Sequence, residues 1–298
     1  LTRHITRPYL PQDYKLDTGP YTVEQVVHVE ASWHHSKGKG VVEETQFIES
    51  LAFGVDTVKL GGIVATADPR DRNFKKILKL HHKASPHFRG IRKMASFHED
   101  KAIHAWTDEP QLYRNKKFLK GFEVLSQYNL SFDAWVYSTQ LEDVIYLAKQ
   151  FPETSIVLDH LGTPAGLFGP IGANTGMTQT ARENIFFRWK DDLAELASCP
   201  NVYTKMSGLF MPVLGHRFHK EGRLASKQEV FDLAHPMITH ALACFGTYRV
   251  MFASNFPMDS VSTSLINIID AFSDVVAAYD PDALERVFHH NAKQFYRL

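Results

Sequence analysis

The sequence has little cysteine, no excess of either charge and no long apolar run. Cys199 and Cys244 are its two cysteines, and their separation matches no metal-binding spacing, so we expect free thiols in a cytoplasmic protein. The 33 basic residues equal the 33 acidic residues, whereas nucleic-acid binding usually gives a basic excess. No stretch approaches the roughly 18 apolar residues of a membrane span. The expected partner is therefore a small molecule, with no nucleic acid and no membrane; a homo-oligomer is compatible with the composition.

A glycine-rich phosphate or dinucleotide fingerprint is also missing after the early strands. The sequence instead alternates apolar, β-branched runs with amphipathic stretches. Strands are predicted at residues 25–31, 57–64, 88–94, 131–137, 155–159, 201–206 and 249–254. Helices are predicted at residues 41–53, 71–82, 109–128, 141–150, 186–197, 227–245, 262–279 and 281–295.

Seven strand–helix units predict an α/β fold with a parallel sheet and outer helices. A length of 298 residues suits one (β/α)8 barrel, so residues 1–298 are predicted to form a single domain. An open, doubly wound sheet is the alternative. Because residues 10–17 already look helical, we expect the eighth strand of the barrel to precede Leu1.

Several polar side chains follow the predicted strands, at the edge where barrel enzymes carry their chemistry. The clearest case is an apolar run that ends abruptly in Asp159, His160 and Gly162. The other strand-end residues are His28, Glu30, Arg92, Trp135, Lys205, Ser207, Asn255 and Asp259. Burying so many polar groups is costly unless they bind one another or a ligand. The pattern therefore predicts one shared site.

Each of these residues also has a structural interpretation. His160 could cap its strand, and Lys205 could point outward to a helix. Arg92 could pair with an acid such as Asp68 or Glu99, although a guanidinium at a barrel mouth is also a good carboxylate clamp.

The remaining histidines and tryptophans have mainly structural interpretations. A buried pair of His28 and Glu30 needs no catalytic role. The adjacent histidines at 34–35, 81–82 and 289–290 are expected at the surface. Trp106 and Trp189 are expected to pack within the protein rather than stack on a substrate.

Five short strings carry a resemblance to a known family. HVEA, RGIR, LDHLGTP, NVYTKMSGL and MFASNFPMD occur in this order. Together they resemble the amidohydrolase-related metal-dependent hydrolases (amidohydrolase 2), in the branch of 2-pyrone-4,6-dicarboxylate lactonase and the sugar-lactone hydrolases. The likeness runs from about Tyr9 to Leu298. It implies a distorted (β/α)8 TIM barrel with its active site at the C-terminal strand ends.

The resemblance also implies roles for single residues. His160 matches the family's strand-end histidine, and Arg92 matches an arginine that holds a substrate carboxylate. Asn255 stands where most members carry aspartate, and the HxH pair of the family's first strand has no match. Because Zn²⁺ takes about four ligands, His160 alone cannot hold it. A divalent Zn²⁺ or Mn²⁺ ion bound with the help of His160, and no metal at all, are both compatible with the sequence.

These residues predict a hydrolase that opens a lactone bearing a carboxylate or sugar-acid group. The expected catalytic residues are His160, Asn255 and Asp259, and the expected substrate-binding residues are Arg92, His28, Glu30, Trp135 and Ser207. Because an amide has no ionisable proton acceptor, Asp259 or Glu30 would supply the base. Two alternatives stay open: a non-oxidative decarboxylase of the same superfamily, and a catalytically silent barrel.

Overall fold

The computed structural model describes residues 5–33 and 38–298, and these ranges contain seven parallel strands. They are β1 Gln25–Val29, β2 Lys59–Thr66, β3 Phe88–Arg92, β4 Ser131–Ala134, β5 Ile156–Leu158, β6 Val202–Met206 and β7 Val250–Phe252. Each strand pairs with the next one along the chain, as repeated strand–helix units require. The seven predicted strands are confirmed, with ends that shift by at most three residues. His34 and His35 lie outside the described residues.

The same ranges contain the helices that surround the sheet. They are α1 Pro11–Asp17, α2 Val42–Ser50, α3 Phe74–Ala84, α4 Lys116–Phe122, α5 Val124–Gln127, α6 Leu141–Gln150, α7 Gln179–Ala197, α8 Phe218–Glu221, α9 Lys227–Phe245, α10 Leu265–Tyr279 and α11 Asn291–Tyr296. Helices α6 and α9 have the predicted bounds. Helix α9 begins where Ser226 and Glu229 form a capping box. None of the described helices is both long and apolar enough to cross a membrane.

The single helix predicted over residues 109–128 is wrong. The side-chain oxygen of Asn115 accepts hydrogen bonds from the N–H groups of Lys117 and Phe118, and so starts α4 there. A 3₁₀ turn precedes this cap, and α5 follows as a separate short helix. A Cβ atom at position 121 would lie 1.9 Å from the carbonyl oxygen of Pro69, so this close approach requires glycine.

The sheet curls into part of a barrel. Val64 of β2, Val157 of β5 and Met251 of β7 share one buried cluster with Phe295 and Tyr296. These three strands are not neighbours in the sheet, so their side chains meet only across a curved interior. Within the described residues, no further strand joins β7 to β1. The larger core fills the space between the strands and the outer helices.

Candidate active site

The C-terminal ends of the strands bring most of the predicted site residues to one edge of the sheet. Arg92 is the last residue of β3, and Asp159 and His160 directly follow β5. Ser207 follows β6, and Asn255 lies three residues beyond β7. Because β5, β6 and β7 are consecutive neighbours in a parallel sheet, their ends open onto the same side.

A set of five charged residues, here called the charged cluster, lies inside the curled sheet: Glu30, Arg92, Asp133, Asp159 and Lys205. Arg92 Nε donates to Glu30 Oε1 at 2.7 Å, and its Nη1 donates to Asp159 Oδ2 at 3.0 Å. Lys205 Nζ lies 2.8 Å from Asp159 Oδ1 and 2.5 Å from Asp133 Oδ2. Each cation is therefore held by two carboxylates, Arg92 Nη2 also donates to the backbone carbonyl oxygen of Glu30, and Lys205 points inward rather than outward.

Burial and pairing set the protonation states of these carboxylates. Burial opposes the ionisation of Asp159, but Lys205 and Arg92 outweigh it and lower the pKa of this carboxyl to about 2. Burial dominates at Asp133, despite Lys205, and raises its pKa to about 6. Three carboxylates thus face two cations, and the charged cluster has no surplus positive charge. The partners suggested for Arg92 from the sequence were wrong, since Asp68 pairs with Arg70 instead.

A second set of five residues, here called the neutral cluster, lies beside it: Trp135, His160, Ser207, Asn255 and Asp259. His160 Nδ1 lies 2.8 Å from Ser207 Oγ. Burial lowers the pKa of His160 to about 4, so its imidazole is neutral at pH 7. The Trp135 ring packs edge-on against this imidazole, with centroids 5.9 Å apart.

The backbone around His160 is strained. His160, Leu161, Gly162 and Thr163 have φ values of 57°, 50°, 75° and 40°, so four consecutive residues lie in the left-handed region. Such conformations are unfavourable for residues other than glycine and cluster at functional sites. A Cβ atom at position 208 would lie 2.5 Å from the His160 ring, so Gly208 is what lets the imidazole approach β6.

Asn255 and Asp259 form a hydrogen-bonded pair at the end of β7. Asn255 Nδ2 donates to Asp259 Oδ1 at 2.8 Å, and the N–H of Phe210 donates to Asp259 Oδ2 at 3.3 Å. Burial raises the pKa of Asp259 to about 7, although both hydrogen bonds favour the ionised form. The segment after β6 therefore joins the two halves of the neutral cluster, because Ser207 hydrogen-bonds to His160 and the N–H of Phe210 donates to Asp259.

The structure does not bring His28 together with the other predicted site residues. Its side chain points to the helix layer, where Nε2 lies 3.0 Å from Glu44 Oε1 of α2. Glu30 does not pair with His28; it belongs to the charged cluster and also accepts a hydrogen bond from Thr66.

Two members of the buried network were missed from the sequence. Asp133 lies inside β4, and Tyr296 of α11 donates to its Oδ2 at 2.8 Å. The available signal was an acidic residue within the apolar run SFDAWVY. Nothing local indicates that a tyrosine 163 residues later binds it.

The described residues do not by themselves fit a metal site. In residues 5–33 and 38–298, no group of three His, Cys, Asp or Glu side chains is arranged to hold an ion. Ser207 engages one nitrogen of His160, and the adjacent Asp159 is engaged by two cations. A tetrahedral zinc site needs about four donors, which these residues do not supply.

Two curated relatives match most of the chain. An uncharacterised protein of Sinorhizobium fredii, y4mH, is 30% identical over 297 residues, which cover 99% of this chain and 87% of the relative. An L-fucono-1,5-lactonase of Burkholderia ambifaria is 28% identical over 219 residues, covering 72% of this chain and 62% of the lactonase.

The fold and the family agree with these matches. A crystal structure of an amidohydrolase from Burkholderia multivorans with bound zinc has a TM-score of 0.77 and 21% identity, covering 99% of this chain and 90% of that chain. This likeness supports the distorted barrel expected from the sequence. The family model described as amidohydrolase matches residues 9–298, and the chain therefore belongs to the amidohydrolase family.

Proposed function

We propose that this protein is a hydrolase that opens an uncharged lactone of a sugar acid. The observation that carries the proposal is the neutral imidazole of His160, held by Ser207 on the same segment whose Phe210 N–H donates to Asp259 of the Asn255–Asp259 pair. This arrangement offers a neutral hydrogen-bond donor for an oxyanion and an acid whose pKa is near 7. The likeness to an L-fucono-1,5-lactonase supports the same reaction class.

The charge of the site favours an uncharged substrate. Arg92 was expected to grip a substrate carboxylate, but Glu30 and Asp159 already hold its guanidinium. Lys205 is likewise held by Asp133 and Asp159. A substrate carboxylate at this edge would find no cation without a carboxylate partner in the charged cluster. It would also be repelled, because the cluster has more acids than bases.

His160 and Ser207 would stabilise the charge that develops on the substrate. In this proposal the Ser207 hydroxyl donates to Nδ1, so Nε2 carries the ring proton. Nε2–H then donates to the lactone carbonyl oxygen as it becomes an oxyanion. Because burial keeps the ring neutral, one tautomer can hold this role across neutral pH.

Asn255 would orient the attacking water, and Asp259 would accept its proton. The Asn255 oxygen accepts a hydrogen bond from the attacking water, whose proton passes to the ionised Asp259. The hydroxyl oxygen bonds to the carbonyl carbon to form a tetrahedral intermediate. The ring C–O bond then breaks, and Asp259 returns the proton to the leaving alkoxide to give the open hydroxy acid. We place this water next to Asn255, because Asp259 itself is only 1% exposed.

The decarboxylase and the catalytically silent barrel differ from a lactonase in what they release, which is CO₂ in the first case and nothing in the second. A decarboxylase needs a carboxylated substrate, which a cluster of three carboxylates and two cations disfavours. A silent barrel is favoured by Asn255 and by the unmatched HxH pair, but Asp259 keeps an ionisable group in contact with the Asn255 amide.

The test is a panel of uncharged sugar-acid lactones incubated with the wild-type chain and with His160→Ala. Acid release is followed in a weakly buffered solution, and CO₂ release is followed from carboxylated substrates. We expect acid release by the wild type only, and no CO₂. CO₂ release, or no acid release from any lactone, would contradict the proposal.

A further inference from the structure

Trp106 differs from the other tryptophan that was expected only to pack. Trp189 is fully buried, and its Nε1 donates to the carbonyl oxygen of Leu161 at 2.7 Å. Trp106 instead leaves 37% of its surface exposed. An exposed indole presents an apolar face on which the ring of a ligand can pack.

The exposed ring adjoins the neutral cluster. Trp106 packs against Trp135 with ring centroids 5.3 Å apart, and Trp135 packs against His160 at 5.9 Å. Trp135 is 8% exposed and is fixed by its Nε1, which donates to Thr163 Oγ1 at 3.0 Å. A rigid buried ring therefore backs an exposed one, next to the imidazole.

The loop that carries Trp106 is anchored at several points. The N–H of Trp106 donates to the carbonyl oxygen of Ser96 at 2.8 Å. Gln140 Nε2 donates to the carbonyl oxygen of Ala95 at 2.9 Å, and Tyr137 donates from its hydroxyl to the carbonyl oxygen of His104 at 2.8 Å. The backbone of the loop is thus held in place, and the indole packs against His104 and Trp135 while 37% of the residue stays exposed, which limits the entropy lost when a ligand packs on it.

We propose that Trp106, backed by Trp135, is a specificity residue that stacks on the ring of the lactone. This inference rests on the function proposed above. A sugar lactone presents C–H groups on one face and hydroxyls at its rim. An indole face removes the C–H groups from water without hydrogen-bonding demands, and it selects ring-shaped over open-chain esters.

The test compares Trp106→Ala, Trp106→Phe and Tyr279→Ala with the wild type on the best lactone of the panel. Tyr279 is a matched control because it is 43% exposed at the end of α10. We expect Trp106→Ala to raise KM about five- to tenfold, with kcat changed less than about twofold. Trp106→Phe should keep KM within about twofold of the wild type, as should Tyr279→Ala. An unchanged KM in Trp106→Ala, or an equal rise in Tyr279→Ala, would overturn the proposal.

A binding measurement separates this proposal from the function itself. Each lactone of the panel is titrated into His160→Ala, and into His160→Ala combined with Trp106→Phe, while tryptophan emission is recorded. A saturable change that the second variant loses supports stacking even if the wild type releases no acid from any lactone. No change in His160→Ala overturns stacking, while acid release by the wild type would still support the lactonase function.

Discussion

The charged and neutral clusters share one edge of the barrel and differ in what their groups are free to do. In the charged cluster, each cation is held by two carboxylates at 3.0 Å or less. In the neutral cluster, His160 has one nitrogen engaged by Ser207 and Asp259 has a pKa of about 7. The cations of the first set are paired with carboxylates, and the second set retains an uncharged imidazole and a carboxyl that can take or give a proton near neutral pH.

This difference indicates that the charged cluster stabilises the fold and the neutral cluster carries the chemistry. Paired buried charges hold a structure in one arrangement, but breaking such a pair leaves an uncompensated charge. A group whose pKa is near the working pH, such as Asp259, is suited to proton transfer. We therefore expect damage to the charged cluster to appear as lost stability, and damage to the neutral cluster as lost activity.

Lys205→Met should have the largest effect on stability. It leaves Asp133 and Asp159 without their shared cation, so we expect a loss of about 3–5 kcal/mol in the free energy of unfolding. The matched control is Lys149→Met, because Lys149 pairs with Glu195 at 3.3 Å on the surface. The control should lose less than about 1 kcal/mol. Equal losses in urea unfolding would contradict the structural role of the cluster.

His160→Ala should have the largest effect on activity. We expect kcat/KM to fall about a thousandfold, because the oxyanion loses its donor. His81→Ala is the control, since His81 is also buried with a pKa of about 4 and has Nδ1 2.9 Å from the Thr45 hydroxyl. His81 lies in α3, so its variant should lose stability and keep kcat/KM within about threefold. Activity in His160→Ala close to that of the wild type would remove His160 from the mechanism.

Asp259 should give the site its pH dependence. A base with a pKa of about 7 is ionised above this pH, so kcat/KM should fall about tenfold per unit below it. The stability effect has the opposite sign. Because folding raises this pKa, the protonated carboxyl stabilises the fold at low pH, and this contribution is lost as the pH rises through about 7.

Asp259→Asn separates these two effects. The variant should lose activity at every pH and should unfold with a weaker pH dependence than the wild type between pH 5 and pH 8. Unfolding curves at both pH values and a kcat/KM profile are the measurements. An unchanged acid limb in the activity of the variant would show that another group is the base.

Tyr296→Phe should have the smallest effect. It removes one hydrogen bond to Asp133 at 2.8 Å, so we expect a loss of about 1–2 kcal/mol in the free energy of unfolding. Because the Tyr296 hydroxyl binds Asp133 of the charged cluster and its ring packs against Phe295 in the interior, kcat/KM should stay within about twofold. A larger loss of activity than of stability would place the charged cluster in the reaction.

The sequence predicted elements whose signals are local. Helix α9 has its bounds because Ser226 and Glu229 cap its start and Gly246 follows its end. The seven strands were likewise visible as apolar runs between turn residues. The helix predicted over residues 109–128 is interrupted by the Asn115 cap. A prediction based on periodicity alone misses such a cap, because the apolar spacing continues through it.

The partners across the barrel were not predictable, because they depend on contacts between distant segments. The sequence placed Arg92, Glu30 and Asp159 at strand ends but did not pair them, because the two carboxylates lie 62 and 67 residues from Arg92 along the chain. His28 was grouped with the site because it lies near a strand end, yet strand alternation turns it toward Glu44. Whether a strand-end residue faces the interior or the helices depends on register, which only the folded sheet fixes.

The most direct test of this account is a comparison of kcat/KM for an uncharged sugar lactone and for 2-pyrone-4,6-dicarboxylate with one wild-type preparation. If Arg92 and Lys205 are committed to the charged cluster, the uncharged lactone should be preferred by at least about tenfold. Preference for the dicarboxylate would mean that one of these cations is free to bind substrate, and would contradict the division between the two clusters.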